Sequence, residues 1–171
     1  MQMTESLNNY GKVLYELNIS PESAAGAREL LEKVPQVSEV LSSPVVSLAA
    51  KQSVVDRIFP REIHNFMKIL CRYHKAGEAQ EIFKAYQEYY NEKNNILNAT
   101  LSYVVLPTEE QLTGIKRFLC RQYHVKDVAF QLQEEKDLVG GFTLRVGDQE
   151  IDYSLKGKIN ALQQKLDLEV N

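Results

Sequence analysis

Three imidazoles and two thiols are the side chains of this 171-residue chain best suited to bind a metal or attack a substrate: His64, His74, His124, Cys71 and Cys120. His74 follows Cys71 by one helical turn, and His124 follows Cys120 by a similar step, so each pair can share a helix face. A structural zinc site takes about four such ligands, and the two pairs together would supply them. Yet they fall in different predicted domains, and neither shows a CxxC or HxxxH pattern. The better reading is core and surface residues, with no metal. Cys71 lies on a predicted apolar face, where a thiol is normally inert.

Phosphate and carboxylate chemistry fare no better. Gly157-Lys158 is followed by Ile159 inside a helical pattern, without the second glycine and the Ser or Thr that a phosphate-binding loop needs. Gly140-Gly141 reads as a bulge or a close packing point. Asp148, Glu150 and Asp152 alternate along a predicted hairpin but lack the spacing of a calcium loop, so they read as solvated carboxylates. No Ser-His-Asp set and no paired acids can be assembled. We expect no catalytic residue, no metal and no cofactor.

The elements that would position these residues follow from hydrophobic periodicity. Leu7, Tyr10, Leu14 and Leu17 recur at helical spacing. Ser20-Pro21 is a helix start, because the Ser hydroxyl caps an orphan N–H and Pro gives up no needed donor. Ala27, Leu30, Leu31, Val34 and Leu41 continue a buried face that Pro35 must kink or break. Ser43-Pro44 repeats the start signal and predicts a short helix through Leu48; another runs through Val54, Val55 and Ile58 to Phe59. Ile63, Phe66, Met67, Leu70, Cys71 and His74 form a broad apolar face, ended by Lys75-Ala76-Gly77 with Gly77 in the left-handed conformation. Ile82, Phe83, Tyr86, Tyr89 and Tyr90 carry a sixth helix to Asn94-Asn95.

Beyond Asn95 the period changes. Leu97, Ala99, Leu101, Tyr103 and Val105 alternate with polar neighbours as a strand. Thr108 and Gln111 make a capping box for a helix that buries Leu112, Ile115 and Leu119. Val128, Phe130 and Leu132 form a second strand, and Phe142, Leu144 and Val146 a third. Gly147-Asp148 turns the chain into a fourth through Glu150 to Tyr153. A last helix carries Leu155, Ile159, Leu162 and Leu166. The predicted fold is an N-terminal six-helix bundle over residues 1–97, then a small C-terminal β-α-β-β-β-α domain over 98–171.

Composition sets the class. Hydrophobic residues make up 44% and charged residues 25%, a folded globular mix. No apolar run spans a bilayer, and MQMTESLNNYGKV lacks a basic region followed by an apolar stretch, so we expect no secretory signal. With two cysteines and no disulfide framework, a soluble, cytosol-facing protein is the expectation. Lys plus Arg number 20 against 23 Asp plus Glu, and neither half is a polycation, which argues against nucleic acid. What remains is surface recognition. Tyr10, Val13, Leu14 and Leu17 give the first helix more apolar width than one bundle face requires, and Phe66, Ile69, Leu70 and Tyr73 do the same for the fifth. A groove between two helices can receive an amphipathic partner helix. A small helical protein-interaction module is the reading that these residues alone support.

Residues 138–162, LVGGFTLRVGDQEIDYSLKGKINAL, resemble the C-terminal signature of the delta subunits of F-type ATP synthases, the family of the mitochondrial oligomycin-sensitivity-conferring protein. In that family a Gly-Gly pair precedes a strand and a hairpin, and an Asp-x-Ser-hydrophobic-Lys/Arg run opens the last helix. Gly140, Gly141, Asp152, Ser154, Leu155 and Lys156 match it. Residues 10–15, YGKVLY, and 106–111, LPTEEQ, resemble two further family segments.

The resemblance implies a non-catalytic subunit of the peripheral stalk, tying the catalytic head to the membrane-anchored b subunits so that rotation is coupled to ATP synthesis. It implies two partners. The N-terminal helix of an alpha subunit would lie between the first and fifth helices, against residues drawn from Tyr10, Val13, Leu14, Leu17, Phe66, Ile69, Leu70 and Tyr73. The C-terminal ends of the b subunits would meet the last helix, with Leu155, Leu162 and Leu166 as contacts. ATP and proton sites would lie on other subunits, and the complex would hold the chain at the cytoplasmic face of a bacterial cell membrane.

Overall fold

The computed structural model describes residues 5–136, 138 and 140–153. Among them are seven α-helices and one four-stranded sheet, a mixed α/β chain that divides into two compact units, Met1–Tyr90 and Asn91–Asn171.

The first unit is helical. Its elements are α1 (Glu5–Glu16), α2 (Pro21–Lys33), α3 (Pro35–Ser42), α4 (Leu48–Ile58), α5 (Arg61–Arg72) and most of α6 (Ala79–Lys93), with a single-turn 3-10 helix at Ala76–Glu78. The Ser20 hydroxyl accepts the Ser23 N–H and Pro21 opens α2, as the sequence predicts. Pro35 separates α2 from α3 because its ring leaves no room for the preceding helical turn. Leu14, Leu31, Leu41, Val55, Ile63, Met67, Leu70, Ile82, Phe83 and Tyr86 fill one core.

Two local expectations are corrected. Residues 43–47 form a turn rather than a short helix. The Ser43 hydroxyl accepts a long bond from Val45 N, but no helical turn follows it, whereas the Ser47 hydroxyl accepts from Ala50 N and starts α4. The six helices of this unit are therefore partitioned differently from the six expected. In addition, α5 ends at Arg72, and it is His74 (φ 57°), not Gly77, that turns left-handed; Gly77 lies in the 3-10 turn. The His74 and Lys75 N–H groups bond back to the carbonyls of Cys71 and Leu70, which rewards the unusual conformation at a non-glycine residue.

The second unit holds β1 (Ile96–Tyr103), α7 (Glu109–Tyr123), β2 (Asp127–Glu134), β3 (Phe142–Val146) and β4 (Gln149–Asp152). Strand order is β2-β1-β3-β4, with β1 parallel to β2 and antiparallel to β3, and β3 antiparallel to β4. Both halves of the Thr108–Gln111 capping box are formed. Gly147 (φ 57°) turns the two-residue link between Val146 and its partner Gln149. Gly140 and Gly141, with φ of 70° and 78°, take a backbone that other residues resist, just ahead of β3. Leu97, Ala99, Leu101, Val128, Leu144 and Val146 face α7, where Leu119 is fully buried. Strand alternation puts Asn98, Thr100, Ser102, Gln131, Thr143 and Arg145 on the opposite face. Lys116 of α7 pairs with Asp127 of β2 at 2.6 Å. The expected last helix, with Ser154, Leu155, Lys156, Ile159, Leu162 and Leu166, lies outside the described residues.

Candidate functional site

The candidate metal ligands are not brought together: no group of three His, Cys, Asp or Glu able to hold a metal occurs among the described residues. Cys71 is buried in the core, where loss of solvent raises its thiol pKa. Cys120 is half-buried on α7, and His124 (φ 54°) is the C-cap of that helix. His64 is a buttress. Its Nε2 lies 2.8 Å from the Phe59 carbonyl and its Nδ1 3.0 Å from Asp56, while Lys68 reaches the same carboxylate at 2.6 Å and holds its pKa below the usual value. These contacts tie α4 to α5.

A surface cavity of about 250 Å³ lies between α2 and α6, lined by Ala24, Arg28 and Glu32 on one side and Phe83 and Gln87 on the other. Glu29, also on its rim, is bound by Lys33 at 2.6 Å. Nucleic-acid stacking finds no platform either. Phe142 and Tyr153 pack on each other at 5.1 Å between centroids, and strand register puts Phe142 on the α7 side. The open face of the sheet carries no aromatic side chain among the described residues.

The helical unit presents a different kind of surface. On α1, Leu14 is fully buried while Val13 is 43% exposed, and Leu17, just past its end, is 57% exposed. On α5, Phe66 and Leu70 are buried while Ile69 is 49% exposed, and Tyr73, the C-cap, is 65% exposed. The two apolar sets named from the sequence thus split by helical phase. Leu14, Phe66 and Leu70 build the core; Val13 with Leu17, and Ile69 with Tyr73, form outward pairs one turn apart. Tyr10 is the half-buried link, its ring edge-on to Phe66 at 6.4 Å between centroids, which sets α1 beside α5.

The neighbouring contacts fix how α1 packs on the helices beside it. Gly11 lets α1 lie directly on α6, since a Cβ there would come 2.8 Å from the Ala85 and Tyr86 backbone. Tyr15 stacks edge-on against Tyr89 at 5.3 Å, and Lys12 lies 6.0 Å above the same ring. At the end of α1 the buried Tyr86 hydroxyl donates to the Ile19 carbonyl, and burial, then nearby negative groups, push its pKa up to about 12. Glu62 of α5 accepts from the Ser20 hydroxyl and amide at 2.9 and 3.3 Å, which keeps its carboxyl below the usual range. Sequence periodicity identified both helices; the division into core and exposed members came from which neighbour each side chain met, which spacing alone does not encode.

Comparison with known proteins bears on the same chain. The family model for the ATP synthase delta (OSCP) subunit matches residues 7–166. ATP synthase subunit delta of Clostridioides difficile is 28% identical over 171 residues, spanning 93% of this chain and 94% of the relative. A subunit delta of Prochlorococcus marinus is 30% identical over 138 residues, spanning 78% of this chain and 77% of its own length. A chain in the cryo-EM structure of the Toxoplasma gondii mitochondrial ATP synthase hexamer shares the fold, with a TM-score of 0.70 at 17% identity, covering 96% of this chain and 98% of that one.

Proposed function

The chain belongs to the ATP synthase delta (OSCP) subunit family, and from that premise we propose that its α1–α5 face receives the N-terminal helix of an alpha subunit. It is a delta subunit of ATP synthase, a component of the peripheral stalk. No helix among the described residues is long and apolar enough to cross a membrane.

The observation that carries the reading is the pairing of Val13 with Leu17 and of Ile69 with Tyr73, four exposed apolar side chains on two helices joined by the Tyr10–Phe66 contact. An amphipathic helix buries such pairs with its own apolar stripe, and each side chain fully buried contributes roughly 1.5–3 kcal/mol before ordering costs. The C-terminal unit, through Leu155, Leu162 and Leu166, takes the C-terminal ends of the b subunits. The chain is then a non-catalytic strut. It holds the head against rotor torque from the cytoplasmic face of a bacterial membrane, and the ATP and ion sites belong to other subunits.

Calorimetric titration of the full chain with the N-terminal peptide of the same organism's alpha subunit tests this. The expected result is saturable one-to-one binding that Leu17→Asp together with Ile69→Asp abolishes in a protein whose circular dichroism is unchanged. Absence of binding by the folded wild type defeats the proposal; binding retained by the double variant moves the site elsewhere.

A further inference from the structure

We infer that His64 is a pH-operated brace between α4 and α5: its protonated ring donates to the Phe59 carbonyl and the Asp56 carboxylate at once, and loss of one ring proton releases Asp56. Nothing in this depends on what the α1–α5 face binds.

The geometry asks for two donors. Nε2 lies 2.8 Å from the carbonyl of Phe59, the C-cap of α4, and Nδ1 lies 3.0 Å from Asp56 Oδ1. A carbonyl oxygen only accepts, and so does an ionised carboxylate. Asp56 is kept ionised by Lys68, whose Nζ bonds the same oxygen at 2.6 Å and, with a smaller contribution from His64, holds the carboxyl below its usual range. A neutral imidazole has one N–H and one bare lone pair. In either tautomer one ring nitrogen would therefore face an acceptor oxygen with no proton between them. Turning the ring over only brings C–H groups to the same two oxygens. The imidazolium alone satisfies both.

Burial decides which contact opens. Phe59 is 6% exposed and the His64 side chain 17%, so a lost bond at the Phe59 carbonyl is poorly replaced by water. The Asp56 side chain is 45% exposed and keeps Lys68 whether or not His64 is charged. The neutral ring thus retains Nε2–H on Phe59 and turns a bare Nδ1 toward Asp56, which moves off toward Lys68 and solvent. His64 and Lys68 stand one turn apart on α5, so two cations hold the α4 carboxylate in acid and one holds it in base. Among the described residues no other charged group pairs with Asp56 or His64, and Glu62, the nearest acid in sequence on α5, is engaged by Ser20. Imidazoles change charge between about pH 5 and 8. Because the folded contacts need the proton, the stability they add is whole at the acid end and is lost as pH rises.

The test is NMR of the full chain, isotopically labelled, across that pH range, with the His64 ring signals assigned by through-bond correlation from its backbone. The expected result is two protonated ring nitrogens at the acid end, a bare Nδ1 at the alkaline end, and a shift of the Asp56 carboxylate carbon with the same midpoint. In parallel, the melting temperature of the wild type should exceed that of the non-titrating His64→Gln at the acid end, and the gap should narrow by about 2–4 °C by the alkaline end. A His64 ring that keeps one protonation state throughout, or an Asp56 signal that ignores its titration, overturns the brace. Parallel melting curves overturn it as well. If His64→Gln does not fold, the wild-type NMR titration decides by itself.

Discussion

A Cβ added to Gly11 would lie 2.8 Å from the backbone nitrogen of Tyr86, so α1 and α6 touch backbone to backbone. At that distance the neighbouring atoms are main chain and cannot swing aside. Gly11→Ala should therefore force the helices apart and lower unfolding stability by about 1–3 kcal/mol, despite the better helix propensity of alanine. Gly26 in α2 and Gly114 in α7 have nothing within 4 Å of the corresponding position. Alanine at either should stabilise by roughly 0.5–1 kcal/mol. Three urea melts on the single variants check the sign at each site.

The same contact brings the Tyr86 ring under α1, where its hydroxyl donates to Ile19 and its pKa rises to about 12. An unfolded tyrosine ionises near 10, so between those values the unfolded chain has lost a proton that the folded chain keeps. The stability tied to this group is complete below pH 10 and is lost as pH rises toward 12. Tyr86→Phe removes that dependence and leaves the Ile19 carbonyl without its partner, a cost of about 1–3 kcal/mol at neutral pH. Thermal melts of both proteins from pH 8 to 12 should converge as the pH rises; parallel curves would show that Tyr86 is not the titrating group.

Much of this architecture was legible because it rests on local chemistry. Ser20-Pro21, the Thr108–Gln111 box and the Gly147-Asp148 turn are each specified within four residues, and each forms as the sequence predicts. The exposed pairs were not legible in that way. Leu14 and Val13 are adjacent and similar in character, yet one is fully buried and the other 43% exposed, because burial depends on where α5 and α6 lie. Ser43-Pro44 misled for a related reason. It offers a cap and a tolerated proline, as Ser20-Pro21 does, but the hydroxyl that reaches an amide three residues on belongs to Ser47.

That difference has a measurable consequence. Ser47→Ala should lower stability by about 1 kcal/mol, the usual cost of removing a helix cap, and should fray the first turn of α4. Ser43→Ala should change stability by less than about 0.5 kcal/mol, since its hydroxyl braces an exposed turn. Hydrogen exchange at the amide of Ala50, accelerated in the first variant alone, distinguishes the two.

If the two units engage different subunits, their contacts can be lost separately. Leu162→Asp with Leu166→Asp should abolish capture by the C-terminal segment of the b subunit and leave the alpha-peptide affinity within about 2-fold of wild type, since the two sets of residues belong to different compact units. Pull-down on immobilised b segment alongside calorimetry with the alpha peptide measures both. Loss of both together would mean that one surface serves both partners.

The division of each helix into core and exposed members predicts opposite phenotypes for neighbours in sequence. Leu14→Ala and Phe66→Ala remove side chains that are 0% and 4% exposed, and each should cost about 2–5 kcal/mol because the cavity left behind cannot close. Leu17→Asp and Ile69→Asp replace side chains already half in water and should change stability by no more than about 0.5 kcal/mol. Peptide affinity should follow the opposite order: the exposed substitutions lower it at least 10-fold, while the core substitutions, measured well below their melting temperature, lower it far less. Melting curves and titrations on the four proteins separate the cases. If Leu14→Ala left stability untouched while abolishing peptide binding, Leu14 would be a docking residue, and the packing that divides groove from core would have to be redrawn.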